Sequence, residues 1–471
     1  MKRERPCRHA RFGEAMTWAS ADELNASTTD SQHRLMVAHE PQQRDTPVGP
    51  SDVTTPPSPY PRRFRATEGL NRRLGRPLRL LLGRQGKVDP ALLAAIGERL
   101  TTRDELGAAL AGALRITDTA HPDRVTMRQF RTALADGIDA MANPPAALRE
   151  FFAAVDPVPD WVDFDLVDEG GRVARRFGRN AADVMLQLAL IGSYRFDGPP
   201  RLLVETGGLT GGSALRRIAE TQHWATTVTG HDAMRRSGPG FRLTVHVRLM
   251  HALVNHQAER SGQWDTERWG LPVNQSDLAA TLGLFNAVQL LGVRLLGVRV
   301  TRAESRALMH LWKYVGHLLG VNEDWLCDHE RLQHRLNYHL LLTQSYGGPV
   351  GPALANALVE AQTALHFARF ARVRRAYARA RLLSMLRYFL GRRGVRDLDL
   401  PVALPWAVPP LLAVNLLRYH VLGRTAAGRA YLLRSGDRFI RRNLRRYFGE
   451  HAPDVGALGA LGVGPSAGPS R

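Results

Sequence analysis

The chain has 471 residues, 44% hydrophobic and 23% charged, enough apolar material for a large core without disulfide or metal staples. Lysine and arginine number 64 against 44 acidic residues, a formal charge of +20; such a field attracts acidic membranes and nucleic acid alike, so its sign alone does not choose a partner. Cys7 and Cys327 stand far apart with no CxxC or CxxCH between them, which excludes a disulfide framework and covalent c-type haem attachment.

The opening stretch MKRERPCRHARFGEAMTWASADELN is basic but has no apolar run behind it, so no secretory signal is expected and a cytoplasmic location follows. No window holds the ~20 uninterrupted apolar residues of a transmembrane helix. The nearest, LPVALPWAVPPLLAVNLLRYHVL at 400–422, carries four prolines and an arginine and reads as a buried or surface-lying segment. Residues 1–62 end in TPVGPSDVTTPPSPYPRR and are expected to form a disordered arm.

From Ala91 to Ile116 apolar residues recur at three- and four-residue spacing, which predicts two short helices, the first capped by Asp89 with Pro90 as its first residue. VTMRQFRTALADGIDAMA predicts a third, and Asn143, Pro144 and Pro145 open a fourth. Helical periodicity then persists to about residue 390, with neither two-residue alternation nor a βαβ rhythm, so an all-α fold is expected. Its expected divisions are accessory helices at 63–150, a core at 151–345, C-terminal helices packed on the core at 346–450, and a disordered tail at 451–471.

On a helix, LTVHVRLMHALVNHQ places Val247, Arg248, His251, Val254 and Asn255 on one face. A neutral imidazole in an apolar stripe offers a lone pair suited to iron, with an arginine one turn away to neutralise a carboxylate. By spacing alone, a hydrogen-bonded core histidine is the commoner meaning of this pattern. In ALRRIAETQHWAT, Arg217 and Thr221 are four apart and therefore neighbours; a cation and a hydroxyl together can hydrogen-bond bound dioxygen, although a solvated arginine beside an ordinary helix threonine is the plainer reading. His310 and His317 form a further stripe, better suited to packing or pocket lining than to a di-metal bundle, which needs paired Glu-x-x-His segments. P-loop, GxSxG, HExxH and GxGxxG patterns are absent.

Taken together, VPDWVDFDLVDEGGRV, the aliphatic helix ending IGSY, LVETGGLTGGSALRRIAETQHW, HVRLMHALVNH, WGLPVNQSDLAAT and HLWKYVGHLLGVNED resemble the rubber oxygenase (latex clearing protein) and MpaB-like oxygenase family over about a third of the chain. The resemblance implies a globin-like helical core with additional helices, holding one non-covalent haem b. It places the proximal iron ligand on His251 within an R-x-x-H pattern with Arg248, and the oxygen-facing pair on Arg217 and Thr221. Two departures stand out. Glu220 occupies the position where relatives carry a lysine able to cap the iron, so no lysine-capped state is expected, and Asn255 replaces the arginine one turn after the proximal histidine, altering the propionate contacts. Glu205 in LVETGG is the nearest acidic candidate for a catalytic carboxylate. The implied function is haem-dependent activation of O2 for oxidation or cleavage of a C=C bond in an apolar isoprenoid, polyisoprenoid or lipid-like substrate. Expected partners are that substrate and O2, with peripheral membrane contact through the basic C-terminal helices, no specific nucleic acid, and a monomer or small homo-oligomer. A rival class remains: a basic helical membrane-surface or nucleic-acid binding protein without catalysis, which ARVRRAYARARLLSMLRYFLGRR and DRFIRRNLRRYF would suit.

Overall fold

The computed structural model describes residues 59–205 and 213–448, without the side chains of Glu205 and residues 213–217. The expected all-α architecture is what forms: among the described residues there is no strand, and a lone bridge pairs Phe196 with Tyr346. These described residues fall in a single unit. Six short helices lead: α1 (Glu68–Leu74), α2 (Arg76–Leu82), α3 (Pro90–Glu98), α4 (Glu105–Leu114), α5 (Met127–Asp136) and α6 (Ala146–Val155). Asp89 does cap α3, its carboxylate accepting the Ala91 and Leu92 N–H groups while Pro90 starts the helix. Helix α5 is shorter than its apolar pattern, because Gly137 leaves helical geometry at φ 94°.

The central part comprises α7 (Phe164–Phe177), α8 (Arg179–Asp183), α9 (Pro199–Glu205), α10 (Ser213–Thr227), α11 (Pro239–Ser261), α12 (Thr266–Trp269), α13 (Gln275–Gly283), α14 (Gln289–Leu295) and α15 (Arg302–Leu318). Helix α8 runs on into a π-helical stretch, Val184–Ile191, and another, Leu284–Val288, joins α13 to α14. Last come α16 (Glu330–Thr343), α17 (Val350–Ala361), α18 (Ala371–Arg396), α19 (Val408–Asn415) and α20 (Ala426–Phe448).

The paired glycines of VDEGGRV explain how these helices assemble. Helix α7 packs against both α15 and α20. A Cβ on Gly170 would lie 2.3 Å from the Ala307 carbonyl oxygen of α15, and one on Gly171 would lie 2.5 Å from the Thr229 carbonyl oxygen just beyond α10. No side chain fits at either position, so backbone meets backbone. Around α7 the apolar core includes Phe177, Phe241, Trp312 and Tyr314, all essentially buried. One helical run, Gln275–Leu295, is long and apolar enough to cross a membrane by length and composition, but over half of it is buried inside the protein.

The described residues start before the expected arm boundary at residue 62. Pro61 is buried, and the Arg62 and Arg63 N–H groups donate to the Glu267 and Arg268 carbonyls. The Arg63 guanidinium, 2% exposed, reaches Asp277 through Nη2 at 2.6 Å and Nη1 at 3.2 Å, and Nε donates to the Trp269 carbonyl at 2.6 Å. The expected tail at 451–471 lies outside the described residues. A chain starting at Ser58 should melt within about 2 °C of the intact protein, since a polar, proline-rich arm adds little burial. One starting at Phe64 should lose about 3–5 kcal/mol in urea unfolding, because the Asp277 carboxylate stays buried without its cation. Equal midpoints for the two truncations would sink this assignment.

Candidate functional site

Helices α10 and α11 form a hairpin through residues 228–238, and one hydrogen bond sets where they meet. Trp224 Nε1 of α10 donates to Thr244 Oγ1 of α11 at 3.1 Å, while the threonine hydroxyl donates to the Gly240 carbonyl one turn earlier. Both residues are buried. Moving away from the connection, Thr221 lies one turn and Arg217 two turns before Trp224 on α10, and His251 lies two turns beyond Thr244 on α11. At 1.5 Å per residue, Arg217 and His251 each stand about 10 Å from the meeting point, on the hairpin's open side. The structure therefore brings the two predicted faces to the same end of one hairpin.

His251 is embedded deeply enough that burial pushes its imidazole down to about 4, against a small opposing pull from Asp104. It is neutral at physiological pH. Nδ1 is buried with no hydrogen-bond partner, so no carbonyl or carboxylate engages it. His251 is intermediate in exposure, as are Val247, Met250 and Val254 on the same side of α11. A neutral imidazole with an uncommitted nitrogen on an apolar wall is the donor an iron-centred macrocycle requires, so the residues present fit haem.

The neighbouring polar residues are committed to protein. Arg248 forms a bidentate pair with Asp104 of α4, Nε to Oδ2 at 2.7 Å and Nη2 to Oδ1 at 2.8 Å, and its guanidinium carbon lies 5.0 Å from the Phe151 ring centroid. Asn255 clips α11 to the loop before α13, donating to the Val273 carbonyl at 2.8 Å and accepting the Val273 N–H at 2.7 Å. Glu220 is buried and Thr221 exposed. The side chains of Arg217 and Glu205 lie outside the described residues.

His310 Nε2 accepts the Asp163 N–H at 2.9 Å at the start of α7, a capping contact that sequence spacing did not suggest. Trp161 lies edge-on to the rings of both His310 and His317. Burial pushes the Cys327 thiol up to about 12, so it offers no thiolate. Asp104, the anion beside the R-x-x-H pattern, carried no signal because it is 144 positions from Arg248. Also unanticipated is a group of three potential ligands, Asp168, His231 and Asp232, whose donor atoms lie within 4.8 Å of one another. His231 is 77% exposed there, and Asp168 accepts the Asp232 N–H at 3.1 Å, bracing the turn after α10.

Behind the hairpin, Trp224 meets Phe285 of the second π-helical stretch at 5.4 Å and Trp312 of α15 at 5.7 Å between ring centroids, and Phe285 and Trp312 lie 4.8 Å apart. This trio locks α10 in place. A small cavity of about 60 Å³ touches Gln222, Ala225 and Phe285. His251 lines neither it nor the larger cavity near α18 and α20.

Residues 181–427 match the family model described as ER-bound oxygenase mpaB/B'/Rubber oxygenase, catalytic domain. The rubber oxygenase of Streptomyces sp. (strain K30) is 26% identical over 184 residues, 39% of this chain and 45% of that protein; the match thus spans less than half of that relative. A solved structure of latex clearing protein in the closed state aligns over 71% of this chain and 94% of its own, at 21% identity and a TM-score of 0.49.

The Arg248–Asp104 pair yields a prediction that separates support from chemistry. Asp104→Ala should cost about 3–5 kcal/mol, since it leaves a buried guanidinium unpaired, whereas the double variant Asp104→Leu/Arg248→Met should cost clearly less. Denaturant midpoints for the two single variants and the double check this. Strict additivity would mean that the pair does not act as a unit.

Proposed function

Because this chain belongs to the ER-bound oxygenase mpaB/B'/rubber oxygenase family, whose catalytic-domain model covers more than half of it, we propose that it is a haem b-dependent oxygenase acting with O2 on a C=C bond of an apolar isoprenoid or lipid-like substrate. The observation that carries this reading is His251, a neutral imidazole with an unpartnered buried nitrogen on a largely buried apolar helix face.

In this reading His251 holds the iron, and the haem supplies the dioxygen chemistry. Val247, Met250 and Val254 beside it exclude water from the reacting centre. Arg248, held by Asp104, fixes the length of α11 that carries the histidine and has Nη1 left for a propionate. Asn255 keeps the α11–α13 loop closed beneath it. From α10, Arg217 and Thr221 would hydrogen-bond the O2 that the haem's chemistry uses, and Glu205 is the candidate for taking a proton from the substrate. With Glu220 in place of a lysine, no lysine would compete with small ligands for the haem. The haem-binding core is assigned to residues 151–345.

The apolar substrate and the surface of the C-terminal part belong together. Leu404 is 79% and Leu417 60% exposed, and Trp406, Val414 and Val421 are exposed as well. Arg424 and Arg429 are exposed nearby. Apolar side chains interleaved with arginine suit a lipid interface, from which a lipophilic substrate would enter. A binding module without catalysis would share this surface but purify colourless.

His251→Ala should lose most of the haem, read by the Soret band and a pyridine haemochrome assay, while helical circular dichroism persists; full haem retention would remove His251 from the iron. Thr221→Ala and Arg217→Ala should keep the haem and slow turnover ~10- to 1000-fold, the usual cost of deleting a preorganised polar contact at a reacting centre. The ferric protein should bind imidazole readily, and a six-coordinate spectrum that resists it would point to His223 instead. For the surface, Leu404→Asp with Leu417→Asp should reduce cosedimentation with acidic vesicles at least about 10-fold without changing haem content. Unchanged cosedimentation would rule out this face as the membrane contact.

A further inference from the structure

A second, larger cavity of about 500 Å³ lies among α8, α10, α18 and α20, and no residue of α11 lines it. Its charge is lopsided. Arg179, Arg374, Arg381, Arg442 and Arg446 all line it, against a single carboxylate, Asp183. That carboxylate is already consumed: Arg381 grips it bidentately, Nη1 to Oδ1 at 2.6 Å and Nη2 to Oδ2 at 2.5 Å, with both groups buried. Among the described residues no carboxylate pairs with the other four arginines. Arg446 and Arg374 lie instead over the Phe367 ring, 5.3 and 5.9 Å from its centroid.

Such an arrangement concentrates like charge. Burial, with Arg381 adding repulsion, pulls the Arg179 guanidinium below its ordinary range, and burial with Arg374 and Arg442 does the same to Arg446. Arg179, Arg374 and Arg442 keep solvent access and Arg446 is partly buried, so the four guanidiniums repel one another across one concavity, and an anion there would offset that repulsion. Planar guanidinium forks match phosphate oxygens in number and geometry. Gln187 adds a buried Oε1 with no partner in the wall, able to accept a hydrogen bond from a protonated phosphate or a hydroxyl.

The rest of the lining says what the anion is attached to. Leu186, Leu365 and Leu382 form apolar wall. Tyr377, which also lines the cavity, lies 5.8 Å from Trp406 between ring centroids. Trp406 belongs to the exposed apolar surface with Leu404, and Phe370 at the start of α18 is 77% exposed. The cavity thus adjoins the apolar face, with cationic walls inside and aromatic rings at its edge. Its volume lies within the ~300–1,000 Å³ of ordinary small-molecule sites.

We propose that this cavity binds an amphiphilic phosphate, an apolar chain ending in one or two phosphate groups, with Arg179, Arg374, Arg442 and Arg446 holding the head and the Tyr377–Trp406 edge meeting the chain. A membrane phospholipid headgroup and a soluble prenyl diphosphate share this chemistry. The site is separate from the His251 face, and neither assignment requires the other.

The test is calorimetric titration of the full chain at physiological salt with dioctanoyl phosphatidic acid, farnesyl diphosphate and ADP. At least one of the two amphiphiles should bind with a micromolar Kd, about 10-fold or more tighter than ADP, and which of them binds identifies the source. Arg179→Gln and Arg442→Gln should each weaken binding at least about 10-fold, while Arg434→Gln, an exposed α20 arginine that does not line the cavity, should change it less than about twofold. Arg179 and Arg442 are both exposed, so either variant can be read without a packing defect. ADP binding as tightly as the amphiphiles, equal losses at Arg434, or no amphiphile binding below about 1 mM would each overturn the proposal. Haem content measured on the same samples keeps the two sites apart: cavity variants should leave it unchanged, and His251→Ala should leave phosphate binding unchanged.

Discussion

The backbone contact made by Gly170 and Gly171 is the constraint on which the other elements depend. One glycine admits the α15 backbone, and the next admits the carbonyl of Thr229 at the turn where α10 gives way to α11. On the far side, a Cβ on Gly436 of α20 would meet the Arg175 carbonyl oxygen of α7 at 1.8 Å. Helix α7 is thus a hub approached at backbone distance by α15, by the hairpin turn and by α20. Because packed interiors tolerate little displacement, this hub fixes where the α10–α11 hairpin sits and how α20 reaches the large cationic cavity.

The two halves of the molecule use charge differently. Around the hairpin, cations are matched one to one: Arg248 with Asp104, Arg63 with Asp277, Arg176 with Glu304. Each pair links segments distant in sequence and leaves the His251 face apolar, which keeps the imidazole neutral. Toward the C-terminus the matching thins to a few pairs, such as Arg381 with Asp183 and Arg379 with Glu360. Residues 370–448 are rich in arginine and hold only Asp397, Asp399 and Asp437 as acids, so guanidiniums accumulate around a cavity and beside an exposed apolar face. A neutral region around His251 and a cationic, amphiphilic C-terminal region are physically compatible within one helical fold, since they share no side chains.

The π-helical stretches fit the same division. Val184–Ile191 contributes to the large cavity through Leu186 and Gln187, and Leu284–Val288 presents Phe285 to the aromatic trio behind α10. A π turn rotates the side chains that follow it relative to those before it. In both places it turns a continuous apolar helix so that part of it faces a cavity while its neighbours remain in the core.

Much of this was legible in the sequence because it depends on local periodicity. Apolar spacing identified the helices, Asp89–Pro90 marked a helix start, and the face shared by Arg248, His251 and Asn255 follows from 3.6 residues per turn. Periodicity cannot say what lies opposite a face. Arg248 meets Asp104 and Asn255 meets a loop carbonyl because of chain topology, and those partners, not the residue types, decide which groups remain free. His310 is the plainest case: its stripe with His317 predicted packing, while its capping of α7 depends on a contact 147 positions away. The cationic cavity was invisible for the same reason. Its arginines come from three separated helices, and their sum of charge in one concavity exists only once α20 has folded back onto α7 and α10.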